Sequence, residues 1–162
     1  AILEGAFGAR MKVAPILKKV YEAGIFGKKS GSGFYVYKGK QKSVNSKVLK
    51  MRPAATFTLN DDVTRKRMIY TMINEASRCL EEGIVDCAGT IDVGMIYGTG
   101  FPPFRGGLLK YADSIGAKAI VADLKEFQTK FDQHRFEPCP LLRKMAESGT
   151  TFYGKQNKAD TL

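Results

Sequence analysis

Apolar residues recur at intervals of three and four positions through much of the chain, which is the spacing of amphipathic helices. The longest such pattern begins behind Asn60 and Asp61, two residue types that cap helices well, and continues to about Glu82. Gly83 is placed to end it. The pattern predicts a long helix with one apolar stripe, formed by Ile69, Met72, Ile73, Ala76 and Leu80.

Four further helical patterns follow, each bounded by a capping residue, a proline or a glycine. The predicted segments are 91–96 capped by Thr90, 108–115 ended by Gly116, 117–131, and 141–147 begun by Pro140 and ended by Gly149. The inner side of the third of these is predicted to consist of Ile120, Val121, Leu124, Phe127 and Phe131.

The first third of the chain combines one helical pattern with a glycine-rich turn. Pro15 suits the first position of a helix over 14–23, and Gly24 suits its end. Glycines over 27–33 then lead into a β-prone aromatic segment, but they lack the spacing of a phosphate loop or a dinucleotide turn. With at least five helices and scarcely any strand, the chain is predicted to be all-α. The apolar face of the first helix is predicted to contain Ile16, Leu17, Val20 and Tyr21.

Residues 38–59 are predicted to form a polar, basic connection, with a domain boundary at Pro53. The two domains are then 1–52 and 53–162. A faint internal repeat supports two copies of one helical unit, of which the first lacks its beginning, so the chain is expected to be truncated at its front. The matching stretches are 17–24 followed by Phe34 and Tyr35, and 142–149 followed by Phe152 and Tyr153.

A stretch of glycine, proline and aromatic residues over 97–107 lies between two predicted helices. Four glycines and two prolines in eleven residues argue against a regular helix or strand. We therefore predict a built loop whose aromatic rings pack and whose backbone a ligand or helix can approach closely. The loop residues of interest are Tyr97, Gly98, Gly100, Phe101, Pro102, Pro103, Phe104 and Arg105.

The net charge of +10 is concentrated near the start of the 162-residue chain. Up to Lys50 there are eleven Lys or Arg residues against two acids, whereas the remainder has fifteen against fourteen. One interpretation of the basic segment, residues 28–52, is a solvated linker. The other is an anion site for nucleotide phosphates, an acidic membrane surface or nucleic acid.

The three cysteines, Cys79, Cys87 and Cys139, lack the paired spacing of a zinc site or a redox motif. Their odd number fits a reducing intracellular compartment. Cys79 lies in a helical pattern and is interpreted as a small buried apolar residue rather than a nucleophile. No metal site is expected.

Several of these motifs together resemble a known family. They are residues 72–84 with Asn74-Glu75-Ala76, the pair Ile91-Asp92, the loop 97–107, and Tyr111-Ala112-Asp113. They resemble the C-terminal helical domain of 3-hydroxyacyl-CoA dehydrogenases, in particular that of the α-subunit of the multifunctional fatty-acid β-oxidation complex. Residues 27–37 are similar to the close of the first of that family's two tandem helical domains, and residues 136–142 to the C-terminal segment.

The resemblance implies a parent enzyme that oxidises 3-hydroxyacyl-CoA to 3-ketoacyl-CoA with NAD. In the family, a His-Glu pair and the glycine-rich NAD turn belong to a Rossmann domain, and paired glutamates belong to a hydratase domain. Neither His134 nor Glu81 and Glu82 match those motifs. We therefore expect no catalytic residue and no bound NAD in this fragment, and no turnover by it alone.

The family's helical domains cover the acyl-CoA and nicotinamide cleft and mediate assembly. By resemblance, Tyr97 matches a tyrosine that contacts the substrate, with a packing role as the alternative. Asn74 and Glu75 are expected to support the loop through structural hydrogen bonds, and Arg105 is a candidate partner for phosphate or carboxylate.

The resemblance also implies partners. These are the acyl-CoA substrate, the Rossmann and hydratase domains of the parent chain, a thiolase β-subunit and a second copy, while peripheral membrane contact stays open. The implied location is the mitochondrial matrix in a eukaryote or the cytoplasm in a bacterium. The competing hypothesis is a non-enzymatic helical module that binds an anionic polymer such as nucleic acid through residues 28–52.

Overall fold

The computed structural model describes residues 2–53, 60–131 and 134–154. The chain forms two compact units, Ala1–Leu59 and Asn60–Leu162. The described residues form eight α-helices and one two-stranded hairpin, which confirms the predicted all-α class. The interpretation of residues 1–52 as the end of an earlier copy stays a prediction.

The first unit is a small assembly of three helices and the hairpin. Val20, Ile25 and Val48 form its buried core. Leu17 and Tyr21 are 48% and 71% exposed, so the predicted apolar face of the second helix is only partly buried. The elements are α1 (Ile2–Phe7), α2 (Pro15–Glu22), β1 (Tyr35–Lys38), β2 (Gln41–Val44) and α3 (Ser46–Lys50).

The segment predicted as a basic connection over 38–59 contains regular structure in its described part. It completes the antiparallel β1–β2 hairpin and then forms α3. Asn45 joins the two, because its Nδ2 donates to the carbonyl oxygen of Gly33 (2.8 Å) and its Oδ1 accepts from the Lys47 amide (3.0 Å). The prediction was therefore wrong for residues 38–50.

The second unit consists of five helices, and its first and longest helix contacts the last three. Four of the five helices predicted here agree with the observed bounds to within one residue. None of the described helices is both long enough and apolar enough to cross a membrane. The elements are α4 (Asp61–Glu81), α5 (Ala88–Thr99), α6 (Leu108–Ile115), α7 (Ala117–Phe131) and α8 (Pro140–Ser148).

The start of α4 is as predicted, but its buried face is rotated from the predicted stripe. Asn60 caps the helix, with its Oδ1 accepting from the Val63 amide at 2.8 Å. Ser77 is tolerated in the buried face because its hydroxyl donates to the Ile73 carbonyl at 2.7 Å. The buried residues are Tyr70, Ile73, Asn74, Ala76 and Ser77, whereas Ile69, Met72 and Leu80 are only half-buried.

The inner side of α7 is as predicted, with all five residues buried. Phe127, Phe131 and Phe136 form an aromatic cluster with centroids 5.7 to 6.0 Å apart. The Arg67 guanidinium from α4 lies 3.9 Å from the Phe131 ring centroid. Burial and the nearby Arg135 charge lower the pKa of Arg67.

Candidate functional site

The helix α5 extends into the stretch that was predicted to be entirely loop. It begins after Cys87 rather than at Thr90, and it continues through Tyr97 and Thr99. Gly100 then ends it with a left-handed φ of 73°. The prediction that residues 97–99 are not helical was wrong, because a helix tolerates Gly98 at an exposed position where little packing depends on it.

The loop itself runs from Gly100 to Gly107 and is tightly built, as predicted. Pro103–Arg105 forms a 3-10 turn. Gly107 has a φ of 114°, and a Cβ at this position would overlap Cβ and Cγ of Asp92. Only glycine therefore allows the loop to pass this close to α5.

Only one of the three aromatic rings in the stretch is packed. Phe101 is buried, with its centroid 6.3 Å from that of Tyr111. Tyr97 is 87% exposed at the end of α5, and Phe104 is 83% exposed in the loop. The prediction of packed rings was wrong for these two, and the packing alternative for Tyr97 does not fit its exposure. Its contact with substrate stays a prediction.

Arg105 is exposed in the same loop as Phe104. Its Cζ lies 4.7 Å from the Tyr111 ring centroid and 5.6 Å from that of Phe104. Stacking on rings holds the guanidinium in place without neutralising its charge. Recognition of an anion by Arg105 stays a prediction.

Asn74 makes structural hydrogen bonds, but to a different segment from the one expected. The side chain is 1% exposed; its Nδ2 donates to the Glu137 carbonyl (2.8 Å) and its Oδ1 accepts from the Cys139 amide (2.9 Å). Asn74 therefore fixes the segment before α8 rather than the glycine–proline loop. Glu75 lies beside Arg78, with Oε1 3.7 Å from Nε.

The residue that holds the loop, Asp92, was named from the sequence only as part of a family motif and was given no role. Asp92 is 3% exposed within an otherwise uncharged helix, and its Oδ1 accepts from the Leu109 amide at 2.6 Å. Its Oδ2 accepts from the Lys110 amide (3.0 Å) and from the Tyr153 hydroxyl (2.6 Å). A lone carboxylate in an otherwise uncharged helix is the signal that could have identified it, because a buried charge needs partners.

Cys87 and Cys139 differ in exposure, and the pKa values of their thiols are shifted in opposite directions. The Cys87 thiol is exposed, and the hydroxyl of Thr90, 3.4 Å away, lowers its pKa. Burial raises the pKa of the Cys139 thiol. Cys79, expected to be a small buried residue, is half-buried.

His134 is exposed in a 3-10 turn. Within residues 2–53, 60–131 and 134–154, no three His, Cys, Asp or Glu side chains cluster as metal ligands would.

A model of the family described as 3-hydroxyacyl-CoA dehydrogenase, C-terminal domain, matches residues 64–159. The chain is 41% identical over 155 residues to the fatty acid oxidation complex subunit alpha of Vibrio parahaemolyticus, covering 94% of this chain and 22% of that protein. It is 43% identical over 157 residues to the same subunit of Shewanella loihica, with the same coverage. The chain thus spans about a fifth of the length of these relatives.

Two solved structures share the fold. The dehydrogenase part of multifunctional enzyme 1 from C. elegans has a TM-score of 0.60 at 23% identity and covers 88% of this chain and 34% of that one. The 3-hydroxybutyryl-CoA dehydrogenase from Escherichia coli has a TM-score of 0.63 at 19% identity, covering 86% and 46%. The family match covers more than half of the sequence, and it includes most of α4, the glycine–proline loop and α8. The chain therefore belongs to the family of 3-hydroxyacyl-CoA dehydrogenase C-terminal domains.

Proposed function

We propose that the chain is the C-terminal helical part of a fatty-acid β-oxidation enzyme that oxidises 3-hydroxyacyl-CoA with NAD and also hydrates enoyl-CoA. The observation that carries the proposal is the family match over residues 64–159, within an alignment to fatty acid oxidation subunits that covers 94% of the chain. In that enzyme this part covers the substrate cleft and supports assembly, and it performs no catalysis alone.

The exposed surface at the end of α5 supports a substrate-covering role. Tyr97 and Phe104 present aromatic faces that can lie on an acyl chain, and the Tyr97 hydroxyl can donate to an acyl-CoA oxygen. The Arg105 guanidinium is suited to a phosphate group of the CoA moiety. These three residues are therefore assigned to binding and orientation, with no proton transfer.

The NAD cofactor is assigned to a domain outside this chain, because the glycines here do not fit a dinucleotide. A pyrophosphate site needs a strand, a glycine-rich turn and a helix N-terminus in that order. Residues 27–33 instead pass through a 3-10 turn into the hairpin, and the Gly27 amide donates to the Ser32 carbonyl at 2.8 Å. No step of hydride transfer is assigned to these residues.

The division of labour is tested by activity assays on the chain alone and on the complete enzyme. With NAD and a 3-hydroxyacyl-CoA, we expect NADH absorbance to rise with the complete enzyme and to stay flat with the chain alone. Turnover by the isolated chain would refute the proposed division.

The role of Tyr97 is tested in the complete enzyme with Tyr97→Phe. Loss of one neutral hydrogen bond is expected to raise the KM for acyl-CoA about three- to tenfold. Tyr21→Phe, which removes an exposed hydroxyl on α2, is the matched control and should leave the KM unchanged. An unchanged KM for Tyr97→Phe would exclude the substrate contact.

Assembly is the second part of the proposal. We infer a homodimer and a complex with a thiolase β-subunit, supported by the relatives' description as subunits of a complex. Light scattering of the chain at increasing concentration tests the first, and co-elution with the thiolase tests the second. A monomer at all concentrations would refute the inferred homodimer.

The competing function is binding of an anionic polymer through residues 28–52. It is favoured by the charge distribution, because residues 1–59 hold twelve Lys or Arg against two acids, while residues 60–162 hold fourteen of each. Salt-sensitive binding of DNA or RNA, lost on neutralising Lys38, Lys40 and Lys42, would support it. Salt-independent behaviour or no binding would exclude it.

A further inference from the structure

The helix α5 is attached to its unit by few buried groups. Among the described elements its main neighbour is α6. Of its twelve residues, only Ala88 and Asp92 are buried; Ile91, Met95 and Ile96 are half-buried, and Val93 and Tyr97 are largely exposed. A helix with so little buried apolar surface depends on its polar contacts for its position.

Asp92 supplies those contacts from a single buried carboxylate. One oxygen holds the Leu109 amide, and the other holds both the Lys110 amide and the Tyr153 hydroxyl. The two amides belong to the first turn of α6, where free N–H groups and the helix dipole favour a negative charge. Asp92 thus joins α5 to α6 across the glycine–proline loop.

The segment after α8 is fastened to the same place by a second carboxylate. Asp113 on α6 accepts from the amides of Phe152 (2.8 Å) and Tyr153 (3.1 Å). The Lys110 ammonium lies 4.9 Å from the Tyr153 ring centroid. Asp113 therefore fixes the backbone of Tyr153, and the Tyr153 hydroxyl reaches from this fixed point to α5.

We propose that Tyr153 is a positioning residue, whose hydroxyl acts through Asp92 to hold α5, and with it Tyr97, against α6. We name Asp92, Asp113 and Tyr153 the carboxylate latch. Without the Tyr153 hydroxyl, the Asp92 carboxylate keeps only the two α6 amides, and α5 moves away from α6 more often. The substrate consequence of this motion rests on the proposed function, but the latch itself does not.

The latch is tested by NMR relaxation dispersion on the full chain with Tyr153→Phe. Hydrogen bonds to charged groups are strong enough that losing one should raise the population of the open state about tenfold to a hundredfold. We expect microsecond-to-millisecond exchange to appear in residues 88–110 and not in α4 or α7. Tyr97→Phe, which removes an exposed hydroxyl from the same helix, should leave the spectra without new exchange.

Two results would overturn the proposal. The first is a Tyr153→Phe chain with no new exchange in α5, and the second is exchange spread equally over α4 and α7, which would indicate general loosening. The Lys110 amide provides a direct signature, because it shares Oδ2 of Asp92 with the tyrosine. Its chemical shift should change more than that of Leu109, which is bound by Oδ1.

The link to substrate is tested separately in the complete enzyme. Tyr153→Phe should raise the KM for acyl-CoA several-fold while kcat changes less, because Tyr153 acts through the position of Tyr97. New exchange in α5 with an unchanged KM would support the latch and refute the substrate role of Tyr97. The two proposals can therefore fail independently.

Discussion

Asn74 offers the sharpest test of how the second unit is stabilised. Its amide is 1% exposed and bridges two groups more than sixty residues away, the Glu137 carbonyl and the Cys139 amide. Asn74→Ala leaves the buried Cys139 amide without this acceptor, at a cost of about 1–3 kcal/mol. The Glu137 carbonyl retains the Arg78 guanidinium at 3.0 Å, so its loss is limited to about 1 kcal/mol.

The expected sum is a free energy of unfolding lower by about 2–4 kcal/mol. Asn60→Ala is the matched control, because it removes the same amide from an exposed helix cap and should cost only about 1 kcal/mol. Urea unfolding followed by far-UV circular dichroism measures both variants in the same chain. A loss for Asn74→Ala no larger than that for Asn60→Ala would refute the reasoning.

Two further predictions concern the loop and the carboxylate latch. Gly107→Ala should lower the free energy of unfolding by about 2–4 kcal/mol, because φ is 114° and the new Cβ overlaps Asp92. Gly98→Ala lies at an open helical position and should raise the free energy of unfolding by about 0.5–1 kcal/mol, so urea unfolding distinguishes the two variants. Burial and the hydrogen bond to Asp92 raise the pKa of Tyr153 above its ordinary value of 10.0. The neutral hydroxyl thus stabilises the fold fully below about pH 10 and less as pH rises beyond it. Because burial also raises the pKa of Tyr70, Tyr153→Phe should reduce the alkaline loss rather than abolish it, and an unchanged loss in stability titrations would contradict the assignment.

The elements predicted correctly are those whose signals lie within the element itself. The period of α7 placed all five of its inner residues, and Asn60 and Gly149 marked helix ends through their own backbone preferences. Such signals depend on neighbours only a few positions away. These local signals predict the folded structure correctly because the tertiary structure buries the same amphipathic face.

The β-prone segment before Lys38 was recognised and forms β1, but its partner β2 was missed because its sequence lacks a period-two apolar pattern. All four residues of β2 are exposed, so burial never selected alternating residues there. The end of α5 was missed for a related reason. Gly98 and Thr99 disfavour helix, yet they complete the last turn because no competing contact displaces them.

By itself, the amino-acid sequence determined the all-α class, the helix ends other than those of α5, and the family, since these depend on local spacing and on motifs that the chain carries. Only the tertiary structure decided where the buried polar side chains act. Asn74 reaches the segment before α8, and Asp92 reaches both α6 and Tyr153. The physical reason is that a buried amide or carboxylate must find partners, and folding alone determines which distant groups come within hydrogen-bond distance.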